Sequence, residues 1–249
     1  MIVIPAIDLL GGRCVRLIQG DYSRETIFDD DPVAVARRWQ ASGASWLHVV
    51  DLDGARDGVP RQRETIAAIV EALDIPVQVG GGIRSQSHAE DLFAVGVERV
   101  ILGTAAVTNP QLVVDVIAAH GSERVIVGVD ARDGQVATQG WLETSSVSAL
   151  DLMRTMRDRG VQRVVYTDIE RDGMLTSPNF EAMAEAAELG IGIIASGGVS
   201  CRDDLERLGM ISGVEAAIVG RALYTGDVVL TTGDWTIAPV LATNGTGAP

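Results

Sequence analysis

Two aspartates end apolar runs at the front of each half of the chain, Asp8 in IPAIDLLGG and Asp130 in VGVDARDG. A carboxylate pair suits general acid and general base chemistry, each member tuned by its surroundings. A lone strand-end aspartate can equally cap a helix or hold a loop. Two further runs end in glycine pairs, Gly81-Gly82 in VGGGIRS and Gly197-Gly198 in ASGGVS. Another glycine follows each pair, Gly103 before Thr104 at 22 residues from Gly81, and Gly220 before Arg221 at 23 residues from Gly197. Positions without a side chain let backbone N–H groups approach a phosphate. Upstream the echo continues, with Asp51 30 residues before Gly81 and Asp168 29 before Gly197. Four landmarks in one order at near-equal spacing, with a period of about half the chain, point to a duplicated half-domain and not to a solenoid array.

Eight short, mostly β-branched runs must position these residues. They are 2–8, 46–51, 75–80, 99–103, 124–130, 163–168, 191–196 and 215–220. Nearly continuous apolar runs are what parallel strands buried on both faces require. Helical patterns separate them; Ile66, Ile69, Val70 and Leu73 fall on one stripe. Helix starts are expected at Asp31-Pro32, Asn109-Pro110 and Ser177-Pro178, and at the capping-box spacings Ser87 to Glu90 and Ser200 to Asp203. The alternation predicts an α/β fold, a single (β/α)8 TIM barrel over 1–249. Its half-barrels are expected at about 1–121 and 122–230, with a final helix near Trp235 to Leu241 and a tail in 231–249. An open doubly wound sheet is the competitor, but no GxGxxG follows the first strand.

In such a barrel the C-terminal strand ends carry the chemistry. Gly197, Gly198, Gly220 and Arg221 are then expected to form one phosphate site with Ser196 beside it. Gly81, Gly82, Gly103 and Thr104 form a second one opposite, aided by helix N-termini. The ligand implied is a small molecule with a phosphate at each end. A formal net charge of −14 argues against nucleic acid or an anionic membrane as partner. It also opposes an anionic ligand, so Arg16, Arg84 or Arg221 must act locally, within a screening length of about 10 Å.

Nothing in the sequence signals a cofactor or a metal site. Cys14 and Cys201 have no metal spacing, and His48, His88 and His120 are scattered and read as structural or surface residues. Lysine is absent, which excludes Schiff-base catalysis by a lysine. No apolar run spans a membrane and the start lacks a basic n-region, so a cytoplasmic protein is expected; the acidic surface suits a soluble monomer.

The stretches IPAIDLLGGRCVRLIQGDY, LHVVDLDGA, VQVGGGIRS, GTAAVTNP, GWLETS, TDIERDGMLTSPN, IASGGV and AIVGRALY together resemble the phosphoribosylformimino-5-aminoimidazole carboxamide ribotide isomerase family of histidine biosynthesis. The resemblance covers roughly residues 1–225. It implies a cofactor-free Amadori rearrangement of an aminoaldose to an aminoketose in a duplicated half-barrel, on a substrate with a phosphate at each end. By resemblance Asp8 is the base and Asp130 the acid, with Thr167 and Asp172 as second candidates for the acid step or its orientation. Trp141 is implied to stack on the aminoimidazole ring. The stretch from Leu9 to Asp31, with Arg16 and Gln19-Gly20, reads as a mobile lid. A bifunctional relative that also isomerises phosphoribosylanthranilate, and a catalytically silent phosphosugar-binding barrel, are the alternatives. The cyclase that acts next would want a lysine soon after a CLDV-like opening, which this chain does not have.

Overall fold

The computed structural model describes residues 1–237. Its strands are β1 (Ile2–Leu10), β2 (Arg13–Ile18), β3 (Asp21–Asp29), β4 (Leu47–Asp51), β5 (Val77–Gly80), β6 (Arg99–Leu102), β7 (Val125–Arg132), β8 (Gln135–Thr138), β9 (Glu143–Ser148), β10 (Arg163–Asp168), β11 (Gly192–Ser196) and β12 (Val214–Val219). Eight of them close a parallel ring in the order β1, β4, β5, β6, β7, β10, β11, β12. The ring is completed by β12 beside β1, with Ile218 opposite Ile4, and by β7 beside β10, with Asp130 opposite Thr167. The helices are α1 (Pro32–Ala41), α2 (Leu52–Asp57), α3 (Arg63–Glu71), α4 (Gln86–Ala94), α5 (Thr104–Thr108), α6 (Pro110–His120), α7 (Ala149–Asp158), α8 (Phe180–Ala187), α9 (Arg202–Gly209) and α10 (Arg221–Thr225). The protein is a (β/α)8 barrel, as the alternation of apolar runs and helical stripes predicts.

Two cores follow from the period of two along each strand. Inside the barrel, Ile4, Ala6, Ile101, Ile126, Val165, Ile194, Ala216 and Ile218 fill the lower half of the lumen. Outside it, the alternate residues Val3, Ile7 and Leu9 of β1 and Val127 and Val129 of β7 pack among the helices in a second, larger cluster. At the N-terminal mouth the Arg99 guanidinium lies 3.9 Å over the Trp46 ring, and Arg163 donates from Nε to Glu215 at 2.6 Å.

Several local features differ from the sequence reading. The stretch from Leu9 to Asp31, read as a mobile lid, takes the form of the antiparallel hairpin β2–β3, which extends β1 through Asp8 opposite Val15; a second hairpin, β8–β9, likewise follows β7. The outer strands β3 and β9 carry mostly polar residues that are exposed or half-buried, so no burial pattern announces them. The start expected at Ser177-Pro178 falls at Asn179, whose side chain accepts from the Ala182 amide at 3.2 Å. Ser85 rather than Ser87 caps α4, and Ser200 pairs with Asp204 rather than Asp203. Asp31 does cap α1, accepting from the Ala34 amide at 3.0 Å.

No helix begins at Trp235. Thr236 instead bridges antiparallel to Ile2, and the Trp235 indole donates to the Ser42 carbonyl at 2.8 Å. Packing against the first strand wins over local helical pattern; the rest of that expected helix and the tail lie outside the described residues.

Ile126 is fully buried in the lumen, just below the polar level. Ile126→Ala is expected to cost about 2–5 kcal/mol, read as a lower midpoint in chemical denaturation.

Candidate active site

The upper lumen opens as a cavity of about 1430 Å³, its mouth to solvent included. Every residue singled out for chemistry or binding lines it: Asp8, Arg16, Gly20, Gly81, Gly82, Arg84, Gly103, Thr104, Asp130, Trp141, Thr167, Asp172, Ser196, Gly197, Gly198, Gly220 and Arg221. Ring order fixes their mutual placement. Asp8 on β1 and Asp130 on β7 are four strands apart in a ring of eight, so they face each other. The β5 and β6 ends are likewise opposite β11 and β12, which sets the two glycine groups across the other diameter.

Each glycine group is built from main chain under tight constraint. Gly81 and Gly82 have φ of 113° and 72°, and Gly197 and Gly198 have 91° and 87°, where L side chains are strained. A Cβ on Gly81 would stand 2.2 Å from the Asp51 carbonyl oxygen, and one on Gly197 would stand 2.8 Å from that of Asp168. The same pair of contacts therefore recurs on both sides. Gly103 and Gly220 open α5 and α10 with closely similar backbone angles, φ −92° and ψ −94° against φ −103° and ψ −100°. These helices are only five residues long, so the local amides outweigh any helix dipole.

Asp51 and Asp168 do not face the cavity. Asp51 accepts from the amides of Gly54, Arg61 and Gln62 at 2.6, 2.6 and 2.9 Å, which fixes the loop after β4. Asp168 accepts from the Glu170 amide at 3.1 Å and from the Asn179 side chain at 2.9 Å. Both anchor the loops whose carbonyls crowd the glycines.

Arg16 lines the cavity and is held there by two carboxylates. Its Nη1 donates to Asp8 Oδ2 at 2.7 Å, and its Nη2 donates to Asp172 Oδ1. Burial works against the guanidinium's charge, yet Asp172 and Asp8 raise its pKa overall. Its face packs on Gly220, where a Cβ would be 3.0 Å from Nη1. Arg221 donates to the Gly173 carbonyl, and the exposed Arg84 lies over Gly58.

Thr104 Oγ1 accepts from the Gln139 amide at 2.9 Å, tying the first glycine group to the loop beyond β8. Trp141 stands on that loop with φ +70°, its ring against Gly20, where a Cβ would be 2.6 Å from the indole. The tips of the two hairpin regions therefore meet over the cavity.

Burial pushes the Asp130 carboxyl up, opposed by hydrogen bonds from Trp141 and Thr167. Asp172 is also raised by burial, which outweighs the pull of Arg16, with Asp8 and Asp130 adding to the rise. His48 was missed as a site residue. It sits inside the apolar run LHVVD, reads as a core residue, and yet lines the cavity beside Arg16.

A carboxyl with a raised folded-state pKa stabilises the fold best below its ordinary range of about 4, and that contribution is lost as pH rises through the raised value. Asp130→Asn removes this loss. The variant is expected to raise the thermal midpoint at pH 7 by about 2–4 °C, the shift of about 1 kcal/mol for a domain of this size. At pH 3 the difference from the parent should vanish in the same calorimetric scan.

Residues 2–229 match the family model described as histidine biosynthesis protein. A protein of Cyanothece sp. is 56% identical over 234 residues, covering 93% of this chain and 91% of its own. One of Picosynechococcus sp. is 58% identical, covering 92% and 91%, and one of Thermomicrobium roseum is 53% identical, covering 92% and 94%. All three carry the name 1-(5-phosphoribosyl)-5-((5-phosphoribosylamino)methylideneamino)imidazole-4-carboxamide isomerase.

Proposed function

The chain belongs to the histidine biosynthesis protein family, and on that premise we propose that it is an aldose–ketose isomerase acting on the bisphosphorylated aminoaldose that its relatives' name describes. The reaction is an Amadori rearrangement giving the phosphoribulosyl aminoketose. One observation carries the reading: two carboxylates face each other across a cavity whose other diameter ends in two matched glycine groups.

The steps follow from the geometry. Asp130, whose carboxyl is biased by burial toward holding a proton, protonates the ribose ring oxygen as the C1–O bond breaks. This leaves an iminium at C1. Asp8 then accepts the C2 proton and the electron pair of the C2–H bond forms the enolamine. Arg16 occupies Asp8 Oδ2, which leaves Oδ1 as the free acceptor. Reprotonation at C1 and loss of the hydroxyl proton give the ketone at C2. Thr167, directly opposite Asp130 on the neighbouring strand, orients it, and Asp172 holds the far side of Arg16.

The backbone amides around Gly81, Gly82 and Gly103, and around Gly197, Gly198 and Gly220, receive the two phosphates, with Thr104, Ser196, Arg84 and Arg221 at their edges. Trp141 covers the aminoimidazole ring and, with Gly20, keeps water from the enolamine. The near-equal spacings and recurring Gly–Asp carbonyl contacts support two half-barrels at about 1–121 and 122–230. No helix among the described residues is long and apolar enough to cross a membrane, and a cytoplasmic monomer fits the acidic surface.

Asp8→Asn and Asp130→Asn are each expected to lower kcat at least about 100-fold with KM within a few fold. A steady-state assay with the aminoaldose, run beside phosphoribosylanthranilate, checks this. Near-parent kcat in either variant removes that aspartate from its role, and turnover of the second compound would mark the broader specificity.

A further inference from the structure

The isomerase mechanism leaves one polar pair of the lumen unused. His48 on β4 and Gln78 on β5 project inward one level below Asp8, where His48 stands opposite Ala6 and Gln78. The side chains that fill the lumen around this depth are otherwise apolar, among them Ala6, Ile101, Ile126, Val165 and Ile194. Gln78 is fully buried and His48 is 7% exposed. Of the two, His48 alone lines the cavity. Polar groups at this depth cost stability unless paired, so a pair kept in a barrel lumen calls for a reason.

The hydrogen bonding decides which end of the imidazole meets the cavity. Gln78 Nε2 lies 3.1 Å from His48 Nδ1. Gln78 Oε1 is buried with no partner. Turning the amide over would satisfy the oxygen but strand both N–H groups in place of one, and an unpaired buried donor is the rarer defect. On this ground the amide is assigned as the donor to Nδ1, which places the ring proton on Nε2. Among the described residues Nε2 has no hydrogen-bond partner, and it is the ring nitrogen left to face the open space. Burial first, and the adjacent Arg16 second, push the imidazole down to about 3, so it is neutral at pH 7. A neutral imidazole presents a donor without adding a charge beside Asp8 and Arg16.

We infer that His48 donates its Nε2–H from the floor of the cavity to the oxygen on the substrate's reacting C2, with Gln78 as the positioning residue that fixes the tautomer from behind. This rests on the isomerase reading. That oxygen changes from a hydroxyl to an enol and then to a carbonyl, and a fixed donor at hydrogen-bond distance follows it through all three. No proton is transferred by the ring; Asp8, on the neighbouring strand, takes the one from carbon. A donor held by protein rather than water needs no reorganisation as charge shifts onto the oxygen.

The test joins spectroscopy to kinetics. In long-range proton–nitrogen spectra of the histidine-labelled protein at pH 7, assigned with His48→Gln, His48 is expected as the neutral Nε2–H tautomer. An Nδ1–H or charged ring overturns the inference, whatever the activity. With the aminoaldose as substrate, His48→Ala should lower kcat about 100-fold, as loss of one preorganised donor does, with a smaller change in KM. His48→Gln, which keeps an N–H donor, should recover at least tenfold of that loss. Gln78→Glu presents an acceptor to Nδ1 and should move the ring proton there, lowering kcat at least tenfold while circular dichroism stays unchanged. If the His48→Ala and Gln78→Glu variants both fold normally and keep kcat within twofold of the parent, the inference fails and the isomerase reading stands. A parent protein that does not turn over the aminoaldose would overturn both.

Discussion

Three carboxylates open into one cavity, and a single buried guanidinium makes that arrangement tolerable. Arg16 reaches Asp8 with one nitrogen and Asp172 with the other, while Asp130 stands across the lumen without such a partner. Breaking a buried pair by removing one member leaves an uncompensated charge, which costs far more than the pair contributes. The asymmetry is useful. The same ring of strands holds one carboxylate tied to a cation and another whose proton affinity burial has raised, so two chemically identical side chains meet different surroundings, as the proposed division of acid and base requires.

That division depends on ring closure. Residues on adjacent strands of a closed parallel barrel are fixed in register by the ladder, and opposite residues by the count of strands between them. Asp8 and Asp130 are 122 positions apart in the chain, yet their opposition follows from eight strands and no loop. The hairpins β2–β3 and β8–β9 continue from the two strands that carry these aspartates, so the covering of the cavity and its carboxylates share a foundation.

Much of this is legible in the sequence because strands buried on both faces leave continuous apolar runs, which marked all eight barrel strands to within about two residues at each end. The echo of Gly81-Gly82 in Gly197-Gly198 was legible for a different reason: main-chain sites need glycine, and glycine cannot be substituted where a carbonyl stands so close. What escaped notice had no such signature. The outer hairpin strands β3 and β9 are largely polar and uncovered, and Trp235 turns away from a helix because its indole and the next residue are claimed by Ser42 and Ile2. Arg16 was legible as a site residue but not as a carboxylate clamp, since its partners are 8 and 156 residues away. His48 and Gln78 hide inside apolar runs, where a lone polar residue looks like a core accommodation.

The glycine groups have one more consequence. A recognition surface made of backbone amides presents no side chain that exchange could lengthen, shorten or recharge. Any added carbon at Gly81 or Gly198 runs into a carbonyl oxygen, so substitution there can destroy the surface but cannot adjust it. Divergence in what such a barrel accepts is thereby confined to the residues around the rim and the covering hairpins. If the glycine groups hold the two phosphates as proposed, they stay as a fixed ruler, and every inheritor of this backbone measures its ligands by the same span.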